Sequence, residues 1–414
     1  MVNNATSRDS GNAIWIVVVF TGVVAALHIW KLPAAVPLIR QQLDLSLVEA
    51  GVLLGLVQVA GMLGGLAISL LAEVIGPRRC LILGLGLLIG GSAMGGFSHD
   101  AALLMSSRVL EGAGFLLVTV VAPGLIRLHT TPWRLNTAMG FWTAYMGFAT
   151  FVGLITTAFI LQIASWQTWW FIMAAVTLIP IPLILRRVPV DAPAAPGGAA
   201  TALKRIGITA RSPKPWVAGV AFSCYTVQWV SVVGFLPGIY EAQGITGIWP
   251  GILSAVVGGL NAVGNICTAP LLQRGVPPRV LLISGFTLMA ASSTLAFAVP
   301  WESISGGLVF QVLCVAVFSF TGAAIPATLT RMAVDLAPEG GSAPAAMGLM
   351  QQLFNLGSFV GPTIAAWIAT TTGGWQSTWW MTCAFTMAGI SLSLWLSEKR
   401  LGIKFGQQAP ASSR

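Results

Sequence analysis

The sequence predicts an all-α membrane protein with 12 transmembrane helices in two pseudo-symmetric six-helix bundles. Of its 414 residues, 56% are hydrophobic and only 8% are charged, whereas soluble globular domains carry about 25% charged residues. So few charges cannot cover a water-facing surface, so most of the surface must face lipid. Long apolar segments recur along the chain, and short motifs recur at an offset of about half its length.

The chain divides into apolar segments that are long enough to cross a bilayer, which takes about 20 residues of helix. Polar residues, prolines or glycines separate each segment from the next. The predicted segments 1 to 12 are 13–38, 47–72, 80–97, 101–127, 135–162, 167–186, 214–242, 248–273, 279–299, 303–331, 343–370 and 375–397.

The longest polar interruption runs from Arg186 to Lys214 and contains the Pro/Ala/Gly-rich stretch DAPAAPGGAA. Its position near the middle of the chain indicates a linker between two halves. We therefore predict an amino-terminal bundle of residues 1–190, a cytoplasmic linker of residues 191–213 and a carboxy-terminal bundle of residues 214–414. The basic end of the linker, 201–211, is predicted to form a short helix on the membrane surface.

Sequence motifs repeat in the same order in the two halves. AMG at 138–140 is followed by FVG at 151–153, and AMG at 346–348 is followed by FVG at 359–361. SWQTWW and GWQSTWW come shortly after the respective pairs. An ordered series of matches in equivalent segments indicates a parallel repeat of six helices, related by an axis along the membrane normal.

The basic residues indicate how the chain is oriented. If the amino terminus is cytoplasmic, eighteen of the 21 lysines and arginines lie at the cytoplasmic ends of segments, and only Arg40 lies at the outer ends. Lys31 and Arg108 lie inside segments. This asymmetry predicts a multi-pass protein of a bacterial inner membrane with both termini in the cytoplasm. The basic residues occupy short gaps and not one face, which argues against a nucleic-acid partner.

Tryptophans cluster near the ends of segments 6 and 12. Such residues typically lie at the membrane–water interface. We therefore predict interfacial anchors at Trp166, Trp169, Trp170, Trp375, Trp379 and Trp380.

Two motifs resemble those of the major facilitator superfamily, and the resemblance covers nearly the whole chain. The first, SLLAEVIGPRR at 69–79, is similar to the family's G-x-x-x-D-R-x-G-R-R loop, with Glu73 in place of the aspartate. Ser69 and Val74 depart from the pattern. The resemblance implies a cytoplasmic gate loop formed by Glu73, Gly76, Arg78 and Arg79.

The second motif, RVLEGAGF at 108–115, resembles the family's R-x-x-Q-G-x-G segment, with Glu111 in place of the glutamine. In this fold class the arginine braces the first helix and takes part in proton coupling. Arg108 and Glu111 are three residues apart on a helix and can pair, so a structural pair and a proton relay are both open. The overall pattern, including the run WKLPAAVPLI at 30–39 before QQLDLS, most resembles the branch of small-anion permeases that includes cyanate-type transporters.

Lys31 and His28 are the strongest candidates for substrate binding. They are three residues apart and share a helix face, and an ammonium beside an imidazole can bind a carboxylate. Polar residues within the membrane are usually functional. The alternatives are that Lys31 extends to the outer headgroups and that His28 bonds a backbone carbonyl.

Uncharged polar and aromatic residues in segments 5, 7, 8 and 11 are predicted to complete a cavity between the halves. The alternative for each is an interhelical hydrogen bond, worth about 0.6 kcal/mol on average. These candidates are Trp142, Tyr145, Tyr225, Gln228, Trp229, Asn261, Gln351 and Asn355.

Motifs for other activities are absent from the sequence. There is no GxxxxGK[ST], HExxH or GxSxG motif and no cluster of metal ligands, so we expect no cofactor, no metal and no enzymatic activity. An integral-membrane enzyme is the alternative from another class.

These observations predict a secondary active transporter that works by alternating access as a monomer in lipid. The excess of membrane-embedded cations, Lys31 and Arg108, over the single embedded acid, Glu111, predicts a small organic or inorganic anion, such as a carboxylate, as substrate. Symport with protons is expected, with Arg108 and Glu111 as the coupling pair. Proton-driven efflux of drug-like hydrophobic compounds is the alternative, although the Gly-Pro signature of drug antiporters is absent from segment 5.

Overall fold

The computed structural model describes residues 3–65, 75–191 and 198–396. Across these residues the regular structure is helical, without strands. Eleven helical spans among them are long and apolar enough to cross a membrane. The twelfth predicted segment is also a helix, Thr378–Trp395, but its 18 residues include several tryptophans, serines and threonines and are less apolar. The all-α membrane fold is thus confirmed.

The helices before the linker form predicted segments 1 to 6. Segment 1 is split into α1 and α2, segment 2 into α3 and α4, and segment 6 into α8 and α9. The bounds are α1 Asn3–Trp30, α2 Val36–Leu43, α3 Leu47–Gly55, α4 from residue 59 and described to 65, α5 Pro77–Gly96, α6 Ala101–His129, α7 Pro132–Ile160, α8 Trp166–Val176 and α9 Pro180–Arg187.

The helices after residue 197 comprise one linker helix and predicted segments 7 to 12. The bounds are α10 Gly198–Arg211, α11 Pro213–Ala242, α12 Trp249–Gln273, α13 Pro278–Ala298, α14 Gly307–Gly322, α15 Ala324–Met332, α16 Ala343–Thr372 and α17 Thr378–Trp395. The helix predicted at 201–211 is confirmed as part of α10, and its position on the membrane surface stays a prediction. Its Thr209 hydroxyl accepts a hydrogen bond of 3.0 Å from the backbone N–H of Ser342, which ties the linker helix to the start of α16.

Helix starts follow the local sequence. Helices α5, α7, α11 and α13 each have a proline in the first turn, where the missing N–H costs no intrahelical bond. Helix α3 begins with a capping box, in which the Ser46 hydroxyl accepts from the Glu49 N–H and the Glu49 carboxylate accepts from the Ser46 N–H. Asp100 caps α6 with its carboxylate alone, which accepts from the Leu103 N–H at 2.8 Å. Local chemistry therefore accounts for where many of the spans begin.

The first span is interrupted just after the two candidate binding residues. Helix α1 ends at Trp30, a 3-10 turn covers Pro33–Ala35, and α2 starts at Val36. Prolines at 33 and 37 lack the N–H needed to continue an α-helical ladder. The break places Lys31 in the turn after α1, and its ammonium contacts Ser92 and Glu111 of the amino-terminal helices.

Within each half the helices pack side by side. Helix α1 packs against α6, α7 and α9, and α5 packs against α6 and α8. After the linker, α11 packs against α16, α17 and α12, and α13 packs against α14 and α17. The two groups of helices meet along α3–α16 and α7–α12, and where α2 approaches α11. We call these three contacts the seam.

Glycines allow the backbones to approach at the seam. A Cβ atom placed on Gly55 of α3 would lie 2.5 Å from the carbonyl oxygen of Phe359 in α16. A Cβ placed on Gly147 of α7 would lie 2.5 Å from the Cβ of Ala262 in α12. Both distances are shorter than real carbon contacts. Small residues at such crossings are typical of helix packing in membranes.

The prediction that the segment 6 tryptophans are interfacial anchors is wrong. Trp166, Trp169 and Trp170 are buried. The Trp166 indole N–H donates to Gln42 at 2.7 Å, and that of Trp169 donates to Thr157 at 2.9 Å. Distance from a helix end does not say whether a side chain faces lipid or a neighbouring helix. In segment 12, Trp380 is 64% exposed, which is compatible with an anchor.

Candidate functional site

A cluster of ionisable side chains lies inside the amino-terminal helices. It consists of His28 and Lys31 from the first span and Arg108 and Glu111 from α6, and none of the four exposes any surface. The residues predicted for anion binding and for proton coupling are therefore in direct contact. We call these four residues the charge cluster.

Glu111 is the centre of the charge cluster. Its Oε1 atom is 2.5 Å from the Lys31 ammonium and 3.0 Å from His28 Nδ1, and its Oε2 atom accepts from the Arg108 guanidinium. One carboxylate thus faces two cations. With His28 neutral, two positive charges and one negative charge leave the cluster with a formal charge of +1. Charges away from water need close partners of this kind.

His28 connects the charge cluster to α8–α9. Its Nδ1 faces Glu111, and its Nε2 lies 2.8 Å from the Thr177 hydroxyl just after α8. In the neutral tautomer with the proton on Nδ1, the ring donates to the carboxylate. The Thr177 hydroxyl also lies 2.7 Å from the Met173 carbonyl oxygen, so its one proton is available either to that oxygen or to Nε2.

Lys31 makes three further contacts inside the protein. Its ammonium donates to the Ser92 hydroxyl of α5 at 2.8 Å, and it lies 3.4 Å from His28 Nδ1. It also lies 4.3 Å from the centroid of the Trp170 ring, within the range of a cation–π interaction. The structure therefore excludes the alternative that Lys31 extends to the outer headgroups. Its donors are directed at α5, α6 and α8.

Arg108 braces α1, as the family resemblance implies. Its Nη1 donates to the backbone carbonyl of His28 at 2.7 Å, and the same group contacts Glu111. The Nε and Nη2 atoms are buried and have no hydrogen-bond partner among the described residues. The guanidinium thus holds α1 against α6 with one edge only.

Aromatic side chains connect the two halves beside the charge cluster. The Trp30 ring, adjacent to Lys31, meets the Trp229 ring of α11 edge to face, with 5.2 Å between centroids. Tyr225 stacks on Trp229 one turn away, at 6.3 Å. The first span therefore directs His28 and Lys31 into the amino-terminal half, whereas Trp30 at the end of α1 contacts α11 of the other half. We call Trp30, Tyr225 and Trp229 the aromatic bridge.

A hydrogen-bond network supports the aromatic bridge from α12 and α14. The Asn261 amide donates to the Tyr225 hydroxyl at 3.1 Å and to the Ser319 carbonyl at 2.9 Å. The Trp229 indole N–H donates to the Ser319 hydroxyl at 3.1 Å. The structure thus brings together three predicted residues, Tyr225, Trp229 and Asn261, through a serine that was not predicted.

Trp142 and Tyr145 stack on each other, with 4.4 Å between ring centroids, on the face of α7 that is turned towards α1. Trp142 packs against Gly22 of α1. Tyr145 is two residues before Gly147, the residue that meets α12, and so points about 200° away from it around the helix. These two rings therefore pack apart from the aromatic bridge.

The remaining uncharged candidates lie in three different places. Gln228 donates to the Cys224 carbonyl and accepts from the Thr386 hydroxyl of α17 at 3.2 Å, so its amide is used inside the carboxy-terminal half. Asn355 is buried where Gly61 of α4 crosses α16. Gln351 is half-buried one turn before it. Their role in substrate binding stays a prediction.

The predicted gate loop is described only in part, because Glu73 lies outside the described residues. Gly76 has a φ of 95°, a conformation that glycine adopts without strain. The backbone N–H groups of Arg78 and Arg79 donate to the Asp191 carboxylate at 2.9 and 3.0 Å. An acidic side chain at a helix start is favourable, and here it ties the beginning of the linker to α5.

Sequence reasoning missed several partners of the site. Ser92, Thr177 and Ser319 are hydroxyl residues in apolar segments, where nothing in the sequence distinguishes them from packing residues. Asp191 is more than 110 residues from Arg78 and Arg79 in sequence. Trp30 could have been predicted from the sequence, because it is adjacent to the candidate binding residue Lys31. Among the described residues, no three His, Cys, Asp or Glu side chains come together in a way that could hold a metal ion.

Comparison with known sequences places the chain in a family. A model described as Major Facilitator Superfamily matches residues 18–340 and, in a second match, 251–411. The chain belongs to the major facilitator superfamily. It is therefore a multi-pass integral membrane protein.

Three proteins whose names describe transport or export are similar to parts of this chain. It is 28% identical over 258 residues to the cyanate transport protein CynX of Escherichia coli K12, which covers 61% of this chain and 64% of that protein. It is 30% identical over 161 residues to the tetracenomycin C resistance and export protein of Streptomyces glaucescens, a match that covers 38% of this chain and 29% of that protein. The uncharacterized transporter YebQ of E. coli K12 is 25% identical over 240 residues, a match that covers 58% of this chain and 48% of that protein. The matches thus span less than two thirds of each relative.

Proposed function

We propose that this protein is a transporter that carries a small organic or inorganic anion, such as a carboxylate, together with protons. The observation that carries the proposal is the composition of the charge cluster, in which two buried cations share one carboxylate. An uncompensated positive charge in a low-dielectric interior favours a nearby anion. The similarity to a protein named for cyanate transport supports the same substrate class.

The charge cluster also provides a physical route to coupling. If Glu111 takes up a proton, the formal charge of the cluster rises from +1 to +2, and an anion at the seam is bound more tightly. By linkage, a bound anion then favours protonation of the cluster to the same extent. We therefore propose symport, in which the proton and the anion cross the membrane in the same direction.

We assign the substrate to the seam beside Trp30, between the charge cluster and the aromatic bridge. In this proposal Lys31 acts mainly through its field, because its donors are directed at Glu111 and Ser92. Arg108 is held at His28 and Glu111 through Nη1, while its Nε and Nη2 have no described partner. Direct contact between Lys31 and the anion, as predicted from the sequence, requires Lys31 to leave Glu111. Protonation of Glu111 would weaken that ion pair.

Alternating access then follows from movement at the seam. We propose that residues 1–190 rock against residues 214–414, with residues 191–213 as the linker, in a monomer in the inner membrane with both termini cytoplasmic. A cysteine at Gln41 should react with a membrane-impermeant maleimide in whole cells, and one at Arg274 only after permeabilisation. The reverse result would overturn the orientation. Because the native cysteines react too, the test uses a variant without them.

The first experiment is a thermal-shift screen of purified protein with cyanate, formate, acetate, nitrate and cationic drugs at pH 5.5 and 7.5. A bound ligand stabilises the protein by RT ln(1 + [L]/Kd), so millimolar affinities are detectable. We expect one anion class to raise the melting temperature, and more strongly at pH 5.5. An anion shift that is the same at both pH values would remove proton coupling from the proposal.

Efflux of hydrophobic compounds is the second candidate function. It is favoured by the similarity to the tetracenomycin C resistance and export protein and by the aromatic bridge at the seam. It predicts that cationic or hydrophobic drugs, and none of the anions, stabilise the protein in the same screen. That outcome would replace the anion proposal.

A further inference from the structure

Tyr225 carries a hydroxyl whose hydrogen-bond direction is set by its neighbours. Asn261 Nδ2 is 2.9 Å from the carbonyl oxygen of Ser319. A carbonyl oxygen only accepts, so the NH2 end of the Asn261 amide must face it. The same NH2 group is 3.1 Å from the Tyr225 oxygen, and its second hydrogen is donated there. The Tyr225 oxygen is therefore an acceptor for Asn261.

This arrangement leaves the Tyr225 O–H proton available. A hydroxyl that accepts one bond still has one hydrogen to donate, and no described residue accepts it. Tyr225 thus presents a donor and has its acceptor side occupied. Because Tyr225 stacks on Trp229, which contacts Trp30 of the other half, the Tyr225 ring lies beside the contact between the halves, and its hydroxyl lies next to Asn261 of α12.

The indole groups of the aromatic bridge do not compete for this role. The Trp229 N–H is donated to the Ser319 hydroxyl at 3.1 Å, and the Trp30 N–H is directed at the Met146 sulfur at 3.4 Å. Both indoles therefore offer ring surface only. Within the aromatic bridge, the Tyr225 hydroxyl is the uncommitted polar donor.

We propose that the Tyr225 hydroxyl donates a hydrogen bond to the transported anion and that Asn261 is the positioning residue that keeps it a donor. The inference rests on the proposed anion transport and adds a basis for selectivity. A site that can only donate binds an anionic acceptor such as acetate and discriminates against its neutral isostere acetamide, which needs an acceptor for its NH2 group.

The test compares wild type with Tyr225→Phe by isothermal titration or thermal shift, using the anion that performs best in the screen and acetate with acetamide as a matched pair. A hydrogen bond to a charged group contributes about 1.5–3 kcal/mol, so Tyr225→Phe should weaken anion binding by about tenfold or more. Tyr240→Phe is the matched control, because the buried Tyr240 hydroxyl has no described partner. This variant should bind as wild type does.

Asn261→Leu provides an independent readout. Without the amide, the Tyr225 hydroxyl is free to accept as well as donate, so the preference for acetate over acetamide should fall while acetate binding persists. Wild-type anion binding with unchanged affinity in Tyr225→Phe would overturn the inference and leave the anion proposal standing. Absence of anion binding in wild type would overturn both. Unliganded melting temperatures within a few degrees of wild type show that the variants are folded.

Discussion

Glu111 holds Lys31, Arg108 and His28 in one buried group, and its loss has a predictable cost. Glu111→Gln leaves two buried cations without a counter-charge. Removing one partner of a buried ion pair typically costs about 3–5 kcal/mol. We expect the unfolding temperature of Glu111→Gln to fall and its transport to be lost. Thermal unfolding in detergent and uptake into proteoliposomes measure the two effects.

The matched control for Glu111→Gln is the double variant Lys31→Met/Glu111→Gln. It removes one charge of each sign and keeps the formal charge of the cluster at +1. Replacing both members of a buried pair is often close to neutral for stability, so the double variant should be more stable than Glu111→Gln while still lacking proton-dependent transport. Equal stability of the single and double variants would contradict the assignment of Lys31 as the main partner of Glu111.

Helix α3 meets α16 at Gly55, and a larger side chain at this position is expected to separate the two helices. In Gly55→Ala the new Cβ would lie 2.5 Å from the carbonyl oxygen of Phe359, so the helices must separate. Overpacking of this kind typically costs about 1–3 kcal/mol. We expect a lower unfolding temperature and a shift of the protein away from this arrangement of the seam.

Gly86 of α5 is the matched control for Gly55. It is also inside a helix, but nothing lies within 4 Å of a Cβ placed there. Gly86→Ala removes a flexible residue at no steric cost and should be neutral or stabilising by roughly 0.5–1 kcal/mol. Similar destabilisation of both variants would indicate that the seam contact is not what Gly55 provides.

The molecule as a whole must open its seam if it works by alternating access. Ala158 near the end of α7 and Gly251 near the start of α12 face each other across the seam. Cysteines at both positions can come within the Cβ–Cβ distance of a disulfide, about 3.5–4.5 Å, after a small movement. We expect Ala158→Cys/Gly251→Cys to lose transport under oxidising conditions and regain it on reduction.

This cross-linking measurement needs a background in which the native cysteines are replaced. All five are free in the structure: Cys80, Cys224, Cys267, Cys314 and Cys383. The two single variants, treated with the same oxidant, should keep their transport activity. Full transport by the oxidised, cross-linked double variant would exclude movement at this part of the seam from the transport cycle.

At the level of individual site residues, the sequence alone predicted the composition of the charge cluster but not its geometry. His28 with Lys31, and Arg108 with Glu111, were each paired by helical spacing. Contact between the two pairs depends on how α1 packs against α6, about 80 residues away in sequence. No periodicity within one segment encodes that distance. The same reasoning explains why Ser92 and Thr177 were missed.

The sequence by itself determined that this chain is a helical membrane protein, where most helices begin, and which charged residues are buried in the bilayer. Hydropathy, proline and capping residues act locally, so they can be read along the chain. Only the tertiary structure decided that Trp170 lies under Lys31 while Trp380 faces outward, and that Gln228 turns to α17 while Trp229 reaches Trp30. Those choices depend on which neighbouring helix meets each face, and that is set by packing among all the spans together.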